Sequence, residues 1–370
     1  MPRVRIADVA VEAGVSPATV SLVLNGKVAR ISQGTQDRVR EAARSIGYHP
    51  NKIAQGLRTR STKTLGLISD TIATTPFAGR MLAGAQDAAR QHGYLLFLVN
   101  TNGDLATERE AVQALAGQQV DAMILAAMWH REVEVPEGLS EDTVLLDCFD
   151  RSGTHRSVVP DEIGGAITGV SELVRAGHRR IAHLDVDEED APIAAAIRHQ
   201  GYLQVLREAG IAVDPGLHVR GESSSRGGRE ATDRLLDLPE GRRPTAIFCF
   251  NDRMAAGAYA ALHRRGMRIP QDMSVVGFDD QQLVASELDP PLTTIALPHY
   301  EMGRWATEVA LGTGAAAPGA GPHLMPCPIV RRDSVDSPSA AAPTPADGEP
   351  CRNPTPRPRS RDRGDVDVAS

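Results

Sequence analysis

The chain has 370 residues, 41% of them hydrophobic and 24% charged, with a formal net charge of −7; that length suffices for two sizeable cores and a small head. No apolar run approaches the ~18 residues of a membrane span, and no signal-type apolar stretch follows the basic N-terminal residues. Cys148, Cys249, Cys327 and Cys351 are isolated, with neither a C-x-x-C pair nor a His at metal spacing, and are expected as buried or incidental thiols in a reducing cytosol.

The elements begin at once. Ile6, Val9, Ala10 and Ala13 recur at i, i+3, i+4, i+7 and predict a helix over 6–13. Gly14 supplies the left-handed stop, Ser16 caps a second helix, and Pro17 sits at its first position, where a missing N–H costs nothing. Val20, Val23 and Leu24 face inward, leaving Pro17, Ala18, Ser21, Leu22 and Asn25 outward. Two short helices joined by so tight a turn read as a helix-turn-helix. Ser32 caps a third helix, expected to run to about Ile46 and to stop at Gly47. Charge supports the reading. Residues 1–63 carry 11 Lys or Arg against 4 Asp or Glu, whereas the remaining 307 carry 29 against 43. A basic head on an acidic body is the electrostatic footprint of a nucleic-acid reader. After Pro50, the stretch Asn51 to Arg58 has helical composition but too few apolar positions to hold a helix alone, so it is either a linker or a helix formed only against a partner.

From Thr64 the pattern becomes strand–helix alternation. TLGLISD, YLLFLVNT, VDAMILAAM, TVLLDCFD, RIAHLDV, GLHVRGE, TAIFCFND and MSVVGFDD read as strands. Helices are expected over Gly79–His92, Glu108–Ala116, Gly164–Ala176, Ile197–Ala209, Gly227–Leu238, Met254–Arg265 and Arg304–Leu311. Strands rich in Val, Ile and Leu without alternation, separated by helices, indicate parallel sheets covered on both faces. About 270 residues exceed one sheet of normal width, so the fold class is α/β: a three-helix head plus two doubly wound lobes. The chain is expected to cross between lobes near Val158–Pro160 and Pro290–Pro291. The domains read as 1–50 (head), 51–62 (linker), 63–335 (core) and 336–370 (a Ser/Ala/Pro/Arg-rich tail expected to be disordered). Within the core, one lobe takes about 63–158 and 293–325, the other about 159–290. No phosphate-binding G-x-x-x-x-G-K-[ST] loop, G-x-S-x-G elbow or H-E-x-x-H helix occurs, so an enzyme reading starts without a catalytic motif; no cofactor and no metal site are expected.

Six segments carry a resemblance: DVAVEAGVSPATVSLVLNG at 8–26, GYHPNKIAQGL at 47–57, GHRRIAHL at 177–184, FCFNDRMAAGA at 248–258, IPQDMSVVGFDD at 269–280 and PPLTTI at 290–295. In this order they resemble the lac repressor/galactose repressor (LacI/GalR) family of bacterial transcription regulators, over about Val4 to Ser334. The resemblance implies a cytoplasmic, nucleoid-associated, ligand-responsive regulator, more often a repressor of carbohydrate-utilisation genes. It implies a homodimer, with a dimer of dimers left open, on near-palindromic double-stranded operator DNA, and no membrane. Pro17, Ala18 and Leu22 stand at base-reading positions; Ser16, Thr19, Ser21, Asn25, Ser32 and Thr35 at phosphates or shared base edges; Ile6 and Tyr48 complete that face. The segment at 51–58 matches the family's hinge helix, with Asn51 at its start, Ala54 in close contact and Leu57 as a wedge in the minor groove. The body resembles the two-lobed sugar-binding fold of periplasmic binding proteins, and Phe77, Asp147, Arg198, Asn251 and Asp279 match the effector cleft. An Arg, carboxylates, an amide and an aromatic face suit a polyhydroxylated ligand. Each keeps a structural alternative: Asp279 as a helix cap, Asn251 and Asp147 as loop ties, Phe77 as core, Arg198 as a surface ion pair. Cys148 and Ser223 stand where some relatives carry aromatic rings, which weighs against a purine. A nucleoside or other metabolite as effector or co-repressor, and a sugar-binding module without gene regulation, remain the alternatives.

Overall fold

A short apolar cluster shapes the N-terminal region. Helix α1 (Ile6–Ala13) is capped by Asp8, which accepts from the Arg5 amide at 2.7 Å, and stops at Gly14 with φ +63°. The axis turns by 102° into α2 (Pro17–Leu24), where Ser16 Oγ accepts from the Thr19 amide at 3.1 Å. Helix α3 (Gln33–Ser45) starts on a matching Ser32 cap. Val9, Ala10, Val20, Val23, Val39 and Ala43 are buried among the three helices, as the periodicity requires. A computed structural model describes residues 4–26, 28–48, 61–72, 75, 79–187, 192–314 and 321–338. Asn51, Ala54, Leu57 and Phe77 therefore lie outside the described residues.

The core continues as β1 (Thr64–Ser69), α4 (Gly79–Gln91), β2 (Leu95–Asn100), α5 (Leu105–Gly117), β3 (Ala122–Glu132), β4 (Val144–Phe149), β5 (Arg156–Pro160), α6 (Glu162–Arg175), β6 (Ile181–Val186) and α7 (Ile193–Glu208). It closes with β7 (His218–Gly221), α8 (Ser225–Leu236), β8 (Ala246–Cys249), α9 (Asp252–Arg264), β9 (Ser274–Asp279), β10 (Thr293–Ala296), α10 (His299–Ala310), β11 (His323–Met325) and β12 (Ile329–Val330). The described strands form two six-stranded sheets, ordered β11-β5-β4-β3-β1-β2 and β12-β10-β9-β8-β6-β7. Pairing is parallel apart from β10 with β12. Both sheets repeat one doubly wound order, whose switch points fall between β1 and β3 and between β6 and β8. Ligand crevices open there, outside the carboxyl ends of the strands.

Four elements and three boundaries differ from the sequence reading. Strands β5, β10, β11 and β12 have two to five residues each, too short for a periodicity signal, and exist because neighbouring strands pair with them. Because β10 pairs with β9, residues 293–296 belong to the second sheet. The chain crosses at Pro160–Asp161, then at Leu297–Pro298 rather than Pro290–Pro291, and again between β11 and β12. The expected linker ends earlier, since Ser61 and Thr62 are tied to the Asp121 carboxylate. The expected tail starts later: the Asp336 carbonyl accepts from buried His178 Nε2 at 2.9 Å and from Ser274 Oγ at 3.1 Å. Residues 339–370 lie outside the described set.

Helices α8 and α9 touch backbone to backbone. A Cβ on Gly257 would stand 2.1 Å from the Ser225 carbonyl oxygen, and one on Gly228 2.2 Å from that of Met254. Gly257→Ala is expected to lower stability by about 1–3 kcal/mol, because the helices must separate. Chemical denaturation should show a lower midpoint at unchanged slope.

Candidate functional site

Two sites emerge, one in the head and one between the sheets. In the head, Pro17, Ala18 and Leu22 are exposed along α2, and none carries a group able to read a base edge by paired hydrogen bonds. Apolar contact, as with a thymine methyl, is what this face offers. Ser16 and Ser32 cap α2 and α3, and each bonds the threonine three residues on (Thr19 and Thr35), so both helix N-termini present amides suited to phosphate. Asn25 departs from the outward reading. Its Nδ2 donates back to the Ser21 carbonyl at 2.5 Å and to Ser21 Oγ at 3.2 Å, closing the end of α2. Ile6 and Tyr48 are half-buried against the head's apolar cluster, because the cluster is too small to close without them.

Between the sheets, a cavity of about 730 Å³ lies at the carboxyl ends of strands from both lobes. It is lined by Asp147, Arg198, Asn251 and Asp279, which the sequence pointed to, and by Trp129, His130, Glu162 and Phe250, which it did not. Arg198 is fully buried, not a surface ion pair. Its Nε donates to Glu162 at 2.7 Å, its Nη1 donates to the Phe250 carbonyl and stands 3.5 Å from Asp279. The guanidinium lies 3.6 Å from the Phe278 ring centroid and 4.6 Å from that of Phe250. Burial works against its charge, yet the two carboxylates outweigh that and hold its pKa above the ordinary arginine range.

The acids respond to the same field. Burial is the main cause that lifts the Asp279 carboxyl to a pKa of about 6; Arg198 and the Gln281 amide pull the other way. Asp279 takes φ +107° at the end of β9 and caps no helix. Burial, reinforced by the charge of Glu162, raises Asp147 well above the usual carboxylate range. Asp147 Oδ1 and His130 Nδ1 are buried and have no hydrogen-bond partner among the described residues. Asn251 does double duty: Oδ1 caps α9 through the Met254 amide at 2.9 Å, and Nδ2 donates to Ser223 Oγ at 2.8 Å on the cavity wall. Cys148 packs in the first lobe's core beneath Leu125, off the lining.

Glu162 escaped the sequence reading because an acid in a helix's first turn is ordinary. Trp129 and His130 escaped it because β3 runs four residues past its apolar stretch, across an irregular register between Ala126 and Arg131. Trp129 is 50% exposed, and its indole supplies an aromatic face on this wall.

Comparison with known proteins agrees with both halves. Residues 5–51 match the bacterial regulatory proteins of the lacI family, and residues 170–335 match the periplasmic binding protein-like domain. The chain is 35% identical over 332 residues to the HTH-type transcriptional repressor CytR of Escherichia coli strain K12, covering 89% of this chain and 95% of that protein. It is 33% identical over 305 residues to the ribose operon repressor of Haemophilus influenzae, covering 82% and 90%. The lac repressor dimer bound to operator and the anti-inducer ONPF superposes with a TM-score of 0.71 at 28% identity, over 91% of this chain and 100% of that one. With a helix-turn-helix head, two doubly wound lobes and these relatives, the chain is no enzyme: it belongs to the lacI family of bacterial regulatory proteins, DNA-binding regulators of transcription.

Proposed function

We propose that this chain represses carbohydrate-utilisation genes from a near-palindromic operator and changes its operator affinity when a small polyhydroxylated effector enters the cleft. The reading places the protein in the cytoplasm, on DNA. The observation that carries it is the polarity of the cavity: on one wall Asp147 Oδ1 and His130 Nδ1, buried and without a hydrogen-bond partner among the described residues, and on the other Arg198, Asp279 and Asn251. Such a set matches alternating hydroxyl donors and acceptors, with Trp129 as a stacking face for the ring. The ribose operon repressor's name supports a sugar. A nucleoside is the second reading, favoured by the same half-exposed indole, which also stacks on a base.

A thermal-shift screen with monosaccharides, disaccharides and nucleosides tests this, each hit repeated on Asp279→Ala and Arg198→Ala. A hit that survives both substitutions removes the cleft assignment.

Homodimer formation accords with β2, an edge strand that leaves Leu95, Phe97 and Leu98 exposed. So apolar a patch on an unpaired edge suits a second copy; sedimentation should find the dimer. Coupling between cleft and operator runs through the hinge at 51–58 in this reading, at about 1–3 kcal/mol. Leu57→Ala is expected to weaken operator binding at least about tenfold, since a wedge's contacts must offset the few kcal/mol of unstacking. Sugar affinity should stay within about twofold in the same variant. Equal loss of both would assign Leu57 to the core.

A further inference from the structure

On the second sheet, away from the lining of the effector cavity, three imidazoles and a carboxylate converge. His183 and Asp185 lie two residues apart on β6 and so share one face of the strand. His218 is the register partner of His183 on the neighbouring edge strand β7. His199 descends onto the same face from α7. One ligand-type atom from each of the four lies within 4.8 Å of all the others.

The contacts are more specific than packing requires. His183 Nδ1 and His199 Nδ1 face each other at 3.0 Å, and His218 Nε2 stands 2.9 Å from Asp185 Oδ2. The three rings are nearly parallel, at 9° between His183 and His218 and 16° between His199 and His218. Two imidazoles meeting through the same nitrogen share at most one proton, so at least one lone pair points into the cluster. In a tetrahedral site with metal–nitrogen bonds of ~2.05 Å, ligand atoms stand about 3.3 Å apart. The two close contacts need to open by a few tenths of an ångström; the wider pairs, within 4.8 Å, need to close, and the stacked rings must rotate so that each lone pair meets the ion.

We propose that His183, Asp185, His199 and His218 form a binding site for a divalent transition-metal ion of the zinc class. Three nitrogens and one carboxylate oxygen suit Zn²⁺ or Co²⁺; Mg²⁺ and Ca²⁺ require oxygen-rich shells. Asp187, two residues beyond Asp185, adds a further acid close in sequence to the ligands, which favours cations locally. Position gives the site a consequence. His199 follows Arg198 directly, and Val186 and Gly221, at the ends of β6 and β7, both line the effector cavity. A bound ion ties α7 to β6 and β7 and so fixes the helix that carries Arg198. Four ligands spread over residues 183–218 on three elements give no short spacing motif, which hid the site from sequence reading.

The full-length, untagged chain, dialysed against chelator and titrated with Co²⁺ or Zn²⁺ alone, tests the proposal. One ion per chain is expected, with the visible bands of four-coordinate Co²⁺, no sulfur-to-cobalt charge transfer, and a melting temperature several degrees above that of the metal-free chain. His199→Ala combined with His218→Ala should bind roughly 100-fold more weakly, while its metal-free melting temperature stays near that of the metal-free wild type. His199→Cys should bring in the sulfur-to-cobalt band, and this readout stands even if the double variant unfolds. No Co²⁺ uptake by the wild type, uptake unchanged in the folded double variant, or a His199→Cys spectrum without the new band each overturns the assignment.

Discussion

Arg198→Ala is expected to destabilise the core by about 3–5 kcal/mol, the scale for removing one partner of a buried ion pair. The substitution strands Glu162 and Asp279, both buried and both previously facing the guanidinium. It also removes the cation lodged against Phe250 and Phe278 and the donor to the Phe250 carbonyl. In a core of this size the loss corresponds to a fall in melting temperature of roughly 6–20 °C. The origin of the loss is testable. If stranded charge dominates, Arg198→Met with Glu162→Gln should recover much of the stability, because a neutral pair leaves less charge to desolvate. If the double variant is no better than Arg198→Ala, the stabilisation comes from shape and ring contact instead. Effector binding should be lost in both, since neither carries a guanidinium in the cleft.

How far the sequence reached follows from how local each signal is. Gly14, Ser16 and Pro17 act on their own neighbours, so the bounds of α1 and the start of α2 were legible to the residue. The long inner strands were legible because they are buried on both faces, which makes TLGLIS or SVVGFD apolar throughout. Short strands were not. β10 has four residues and draws its identity from β9 on one side and β12 on the other, so the sequence reading moved the lobe crossing to the conspicuous Pro290–Pro291 instead.

The cleft divides the same way. Asp147, Asn251 and Asp279 stand where an apolar strand turns polar, and strand ends in such folds face the crevice. Glu162 and Phe278 were invisible because only the folded neighbourhood makes them partners of Arg198. The tail boundary failed for a related reason: Asp336 looks like low-complexity chain, yet its carbonyl satisfies His178, a buried imidazole 158 residues earlier. Local composition does not report a hydrogen bond made across that distance.

With Asp279 as the proposed acceptor of a ligand hydroxyl, effector affinity is expected to rise with pH through about 6 and then level off, because the ionised carboxylate is the stronger acceptor. Its folded pKa is about 6, raised from an ordinary 3.8 chiefly by burial. Below that value each pH unit should weaken binding by up to about tenfold, the full cost of removing one proton. Stability runs the other way for the same group. Between the unfolded and folded pKa values the native chain holds a proton that the unfolded chain has released. Its contribution is therefore fully present below 3.8 and lost as pH rises through 6. Asp147 is pushed the same way, well above the usual carboxylate range, chiefly by burial. Titrating His130 is the competing source, since its imidazole also faces the cavity with a lowered pKa. Asp279→Asn separates them. The variant should bind about 30–1000-fold more weakly at pH 7.5, the scale for breaking a buried charged hydrogen bond, and its affinity should be flat from pH 5 to 7.5. A slope that persists in Asp279→Asn by calorimetric titration assigns the proton to His130 and removes Asp279 as the ligand's acceptor.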